Sequence, residues 1–190
     1  NFLIYVLLAS VCDVMPLRKL NRQIAINVIK KFDISQNIAF KTLYKLSNKN
    51  NKLTIDDLGY FIGPIINSGG RLGKSNFATE LLSSNDPQLI KEKSNQLIKL
   101  NNKRKQIEKN ILDKINFKKI EHDNKNVIIH YDATMNEGLI GIIAAKLKDY
   151  FNKPSIVITS SNNVLKGSAR STFNYNIGQL IKVLCDKKII

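Results

Sequence analysis

The chain has 190 residues, is 43% hydrophobic, and carries a net charge of +15 with a pI near 9.8. That length buries one good core or two small ones, and the composition breaks along the chain favour two. The charge attracts polyanions, although a general lysine and asparagine bias accounts for much of it without any binding role. Cys12 and Cys185 lie far apart with no CxxC spacing and no histidine cluster, so they read as buried free thiols in a reducing cytosol and exclude a disulfide or zinc framework.

The apolar opening NFLIYVLLASVC lacks a basic leader and is too short to span a bilayer. It reads as a core helix over residues 2–12 whose own N-terminal context is cut away. Asp13 and a turn at Pro16 follow. Periodicity predicts a helix from Asn21 to about Lys31, with Ile24, Val28 and Ile29 toward the core, and another from Asn37 to Leu46. The polar block 47–52 is a surface loop. Thr54 and Asp57 stand at capping-box spacing, so a short helix starts there, and Gly63 and Pro64 are expected to end it. The stretch GPIINSGGRLG, with four glycines in eleven positions, reads as a loop able to turn tightly or to converge N–H groups on an anion. Ser75 then caps a helix through Leu82.

Asp86 and Pro87 are an N-cap followed by proline at the first helical position. From there to about Ile115 no glycine or proline occurs, and Ile90, Leu97, Leu100, Ile107 and Ile111 recur at helical spacing. The predicted helix is on the order of 40 Å long. Lys93 and Arg104 interrupt the seam, which favours a spacer with a basic exposed face over a coiled-coil arm. The polar residues 117–126 mark a boundary. Next come a strand in VIIHYD, a helix from Glu137 to Tyr150, a strand in SIVITS, a hairpin turn at Ser161 to Asn163, a strand in VLKGSARS, and a helix near Ile177 to Leu184. The fold class is α/β with a helical first part. Lys187 to Ile190 look like the entry to a further strand.

Of the 30 basic side chains only Arg18, Arg22, Arg71, Arg104 and Arg170 are arginine. Arg71 and Arg170 sit beside glycines, in GGRLG and GSARS. A planar five-donor fork binds paired phosphate oxygens as an ammonium cannot, so both are candidate ligand contacts; capping or carboxylate pairing is the alternative. Gly167, Ser168 and Arg170 join a flexible backbone position, a hydroxyl and a guanidinium, which suits a phosphate. Asp13 is either a cap or a metal ligand, and its local sequence favours a cap. His122 and His130 have no ligand partner at helical or strand spacing. Asp132 and Glu137 could act as an acid and base pair, or as a strand-end and a helix first-turn residue. No nucleophile elbow, P-loop or dinucleotide fingerprint is present.

Several of these segments together resemble a known family. SVCDVMPLRKLNR is similar to the last catalytic motif of the DHH phosphoesterase domain in RecJ-type single-strand-specific exonucleases. IGPIINSGGRLG resembles their PRINAAGR segment, LNNKRKQIE their LNxxRKxIE stretch, and EGLIGIIAAKL with PSIVIT and KGSARS the first half of the associated DHHA1 domain. The resemblance implies the C-terminal part of a DHH domain over residues 1–85, a connecting helix over 86–116 and the N-terminal part of a DHHA1 domain over 117–190.

It further implies a hydrolase with two Mn²⁺ or Mg²⁺ ions that degrades single-stranded DNA from a 5′ phosphate during recombination and repair. Such a protein would be cytoplasmic, monomeric and free of membrane, with a helicase or single-strand-binding protein as candidate partner. By the same resemblance Asp13 falls on the final metal-binding, catalytic aspartate. Lys166, Gly167, Ser168 and Arg170 fall on the segment holding the 5′ phosphate, and Asn67 and Arg71 on the loop facing the DNA backbone. Ile65 replaces the arginine usual after the loop proline, and Arg18, Lys19 and Leu20 depart from the usual turn. The DxD, DHH and GGGH motifs are absent from these residues, so this chain alone is expected not to cleave. The alternatives are a DHH phosphoesterase of short oligonucleotides or cyclic dinucleotides, and a non-catalytic nucleic-acid-binding module.

Overall fold

The computed structural model describes residues 2–49, 52–123 and 125–189. It divides into two compact units, Asn1–Lys103 and Arg104–Ile190.

The first unit is helical. Helix α1 (Leu3–Cys12) is apolar and buries Ile4, Leu7 and Leu8. Helix α2 (Lys19–Lys31) buries Ala25 and Val28, with Ile24 and Ile29 packed against the same core. The Asn37 side-chain oxygen accepts the Phe40 N–H at 3.1 Å and so starts α3 (Ile38–Leu46), which contributes Phe40, Leu43 and Tyr44.

The capping box forms as read. Thr54 N–H and hydroxyl donate to Asp57 Oδ2 at 3.1 and 2.7 Å, and the Asp57 N–H returns to Thr54 Oγ1 at 3.1 Å. Of the surface loop expected at 47–52, residues 50 and 51 lie outside the described residues.

The expected stop at Gly63 and Pro64 does not occur. Asp57–Ile62 winds as π-helix and runs directly into α4 (Gly63–Arg71), so most of the predicted glycine loop is helical. Proline lacks an N–H and crowds the carbonyl four residues back; the wider π turn just ahead, with Gly63 N–H reaching Leu58 O, takes up that mismatch. The glycines serve close packing instead. A Cβ on Gly63 would lie 2.7 Å from Leu58 O and 2.8 Å from Cys12 Sγ; one on Gly69 would lie 2.6 Å from Lys74 O and 3.2 Å from Leu97 Cδ2. Only Gly73, with φ +77°, makes the left-handed turn, and Lys74 N–H closes on Gly69 O at 2.7 Å. Helix α5 (Asn76–Ser83) begins without a side-chain cap from Ser75.

Helix α6 (Pro87–Lys114) is 28 residues long, about 42 Å at the α-helical rise. Asp86 Oδ1 accepts the Gln88 N–H at 2.8 Å at its start. The two cations expected on an exposed basic face turn inward. Lys93 reaches Glu80 at 2.7 Å and lies over the Phe77 ring at 4.3 Å, and Arg104 reaches Glu108 at 3.1 Å. Both are shielded because each found a carboxylate within reach.

The second unit contains the last turns of α6, helix α7 (Phe117–His122), strand β1 (Ile128–Tyr131), helix α8 (Ile140–Phe151), strands β2 (Ser155–Ser161) and β3 (Val164–Arg170), and helix α9 (Ile177–Asp186). Helix α7 stands where a polar boundary was expected. Phe117 stacks on Phe151 with ring centroids 5.5 Å apart and meets Tyr150 edge-on at 4.9 Å. The sheet order is β1-β2-β3, with β1 parallel to β2 and β2 antiparallel to β3. Asn162 and Asn163, with φ of 52° and 61°, make the two-residue hairpin turn. Ser155, Val157 and Thr159 alternate onto the buried face; Ser155 Oγ donates to Ala144 O at 2.6 Å and Thr159 Oγ1 to Met135 O at 2.7 Å. Lys187–Ile189 form no strand, and Ile190 lies outside the described residues. No described helix is long and apolar enough to cross a membrane.

Candidate anion-binding site

Strand β1, helix α8 and strand β2 form a parallel crossover, and β3 adds antiparallel to β2. In β3 the strand period puts Lys166, Ser168 and Arg170 on one face and Gly167 on the other. The cross-strand register pairs Ser168 with Val157 and Arg170 with Ser155, both of whose partners face α8. Ser168 and Arg170 therefore meet the first turn of α8.

Gly141 is what lets them in. A Cβ there would lie 3.1 Å from Arg170 Nη2 and 3.3 Å from Ser168 Oγ. Among the described residues the N–H groups of Ile140 and Gly141 find no carbonyl partner, as expected at the head of a helix. A hydroxyl, a guanidinium and two backbone donors thus converge where the helix dipole favours negative charge. Arg170 is exposed and Ser168 half-buried, so the donors face solvent from a fixed base. This arrangement binds an oxyanion; it contains no nucleophile or base.

Lys166 shares that face but is ion-paired with Glu137, whose carboxyl is held below the ordinary glutamate range chiefly by the Lys166 hydrogen bond. Gly167 offers only backbone. The Asp132 carboxylate accepts the Thr134 N–H and hydroxyl at 2.8 and 2.7 Å, and these bonds lower its pKa. Asp132 and Glu137 are thus a turn cap and a lysine partner, not an acid–base pair. His130 is half-buried and its pKa is lowered by burial, while His122 is exposed at the end of α7.

In the first unit, Asn67 and Arg71 stand one turn apart on α4, Asn67 exposed and Arg71 half-buried. Asp13 closes α1: its N–H donates to Ala9 O at 2.9 Å and its side chain is exposed. The residue therefore lies at the C-terminal end of the helix, not at a start that its carboxylate could cap. Among the described residues no three histidine, cysteine or acidic side chains gather as a metal site.

Two features escaped the sequence reading. The Gly141 contact depends on residues 27 and 29 positions away, and its only local signal was a glycine in the first turn of an apolar helix. The buried Glu108, bonded to Lys146 at 2.7 Å and to Arg104, ties α6 to α8 and was hidden in a lysine-rich run.

No protein-family model matches the chain. Sequence comparison and fold comparison nonetheless agree on its class: the chain corresponds to part of the RecJ-type proteins. It is 32% identical over 178 residues to the single-stranded-DNA-specific exonuclease RecJ of Haemophilus influenzae, a match spanning 87% of this chain and 30% of that protein. The RecJ proteins of Bacillus subtilis and Escherichia coli are each 29% identical over 174 residues, covering 90% and 87% of this chain and 22% and 30% of their own lengths. The chain thus spans under a third of these curated relatives. In fold it matches the crystal structure of Thermus thermophilus RecJ in complex with Mg²⁺, with a TM-score of 0.82 and 20% identity over 97% of this chain and 29% of that one. A structure of exonuclease RecJ bound to manganese matches with a TM-score of 0.74 at 20% identity, covering 95% of this chain and 45% of that one.

Proposed function

We propose that the chain is part of a metal-dependent exonuclease that hydrolyses single-stranded DNA from its 5′ end, and that Ser168, Arg170 and the head of α8 hold the terminal phosphate. The observation that carries this reading is the approach of Ser168 Oγ and Arg170 Nη2 to Gly141 beside two backbone donors. A terminal phosphate carries more charge than an internal diester and offers a free oxygen triad to this cluster. The names of the relatives above support single-stranded DNA as the substrate. Asn67 and Arg71 are assigned to the strand's backbone, where a guanidinium and an amide one turn apart suit successive phosphate oxygens.

Asp13 is assigned as one ligand of a Mn²⁺ or Mg²⁺ centre. An exposed carboxylate at the negative end of a helix is locally unfavourable, and a bound cation relieves that. The described residues do not assemble a metal site by themselves, so the assignment is limited to one donated oxygen. When bound, such ions polarise a phosphodiester and activate water. A cytoplasmic, monomeric state and work alongside a helicase or single-strand-binding protein belong to the same reading.

The test is binding of this chain to one oligothymidylate with a 5′ phosphate or a 5′ hydroxyl. The phosphorylated strand should bind about 10- to 100-fold tighter, the range for charge-assisted hydrogen bonds, and Arg170→Ala should erase the difference. Equal affinity for both ends, or an unchanged preference in R170A, overturns the assignment.

A further inference from the structure

The turn that follows the phosphate cluster carries a side chain with no use in the fold. Phe173 is 104% exposed relative to an extended reference, so the ring is wholly in water, and among the described residues it meets no other aromatic ring and joins neither core. Burying such a ring normally contributes about 1.5–3 kcal/mol, which this position forgoes.

The turn itself is well anchored. Thr172 bridges Tyr175, whose N–H donates to Thr172 O at 3.3 Å. Ser171 Oγ accepts the Ile177 N–H at 3.1 Å, and the Asn176 side chain caps α9 by accepting the Gln179 N–H at 3.1 Å. Bonds on both sides thus fix the turn at whose tip the ring stands. Three residues separate Phe173 from Arg170, so their Cα atoms are at most about 10 Å apart.

We infer that Phe173 is a stacking platform for a nucleobase at the 5′ end of the strand whose terminal phosphate occupies Ser168 and Arg170; this rests on the reading of those residues given above. An unpaired base presents a flat apolar face that water solvates poorly, and a rigid ring beside the phosphate cluster covers it whatever the base. A base inside a duplex already has both faces covered by its neighbours. The pairing of a fixed anion site with an adjacent exposed ring therefore selects an unstacked strand end, and Phe173 contributes to single-strand preference while Arg170 contributes to end preference.

The experiment compares wild type, F173A and F173W on 5′-phosphorylated oligothymidylate and on the same strand made abasic at its first three positions. The chain contains no tryptophan, so F173W emission reports this site alone. F173A should weaken binding of the base-bearing strand by roughly 5- to 100-fold, the range spanned by base–aromatic stacking, and leave abasic-strand binding and the 5′-phosphate preference unchanged. F173W emission should be quenched by the base-bearing strand and not by the abasic one. Equal affinity of wild type and F173A for the base-bearing strand, or quenching independent of the bases, overturns the inference. Loss of the phosphate preference in wild type with the base dependence intact removes the terminal-phosphate assignment and leaves Phe173 standing. Absence of any binding removes both.

Discussion

Glycine does opposite work in the two units. In the helical unit Gly63 and Gly69 bring backbone against backbone: the space a Cβ would need is already held by Leu58 O, Cys12 Sγ and Lys74 O. In the α/β unit Gly141 leaves a space into which Arg170 and Ser168 settle from another strand. The first use binds the core together, and the second opens a helix end to a ligand. What occupies the vacated Cβ position, a carbonyl that cannot move or a guanidinium that can, decides whether a glycine serves stability or recognition.

The sharpest way to break this contrast is to add the missing methyl group. Gly63→Ala and Gly69→Ala force contacts below 3 Å on backbone oxygens, so each should destabilise by about 1–3 kcal/mol, read as a lower urea midpoint with an unchanged slope. Arg170→Ala, by contrast, should leave that midpoint in place and erase the 5′-phosphate preference. A smaller effect belongs to the capping box. Asp57 is buried, which raises its pKa, but hydrogen bonds from Lys49, Thr54 and Tyr44 outweigh this and hold it below 3.8. Its contribution is therefore complete above the ordinary carboxylate range and is lost as pH falls through the depressed value. Asp57→Asn should cost about 1 kcal/mol at neutral pH, and the gap from wild type should close only below about pH 4. The smallest stability change is expected for Gly141→Ala. The flexible end of Arg170 can withdraw and alanine favours the helix, so the midpoint should move by less than about 0.5 kcal/mol while oxyanion affinity falls. A large destabilisation in G141A would erase the distinction between the two units.

Local chemistry was legible and long-range chemistry was not. Thr54 with Asp57, and Asp86 with Pro87, announce their helices because both partners lie within one turn. The alternation of β2 and the Asn162–Asn163 turn are equally local. Helix α4 was missed because Gly63, Pro64, Gly69 and Gly70 count as breakers in any window that cannot see Cys12 or Leu97 across the core. Lys93 looked exposed because its partner Glu80 lies thirteen positions back on another helix. The phosphate cluster was half legible: the hydroxyl and guanidinium stand two residues apart on one strand, but the helix end that completes them is contributed from Ile140 and Gly141.

The π-helical stretch Asp57–Ile62 sets the phase of everything that follows it in α4. A π turn is an α-helix holding one surplus residue, and each α-helical residue advances the chain by about 100°. Shortening this stretch by one residue would restore ordinary winding and rotate the next two turns by that angle. Asn67 and Arg71 would then swing off their present side of the helix, and Gly63 would no longer face Cys12. The irregular winding is the calibration that lets one continuous rod present a packing side and a solvent side at the required angle.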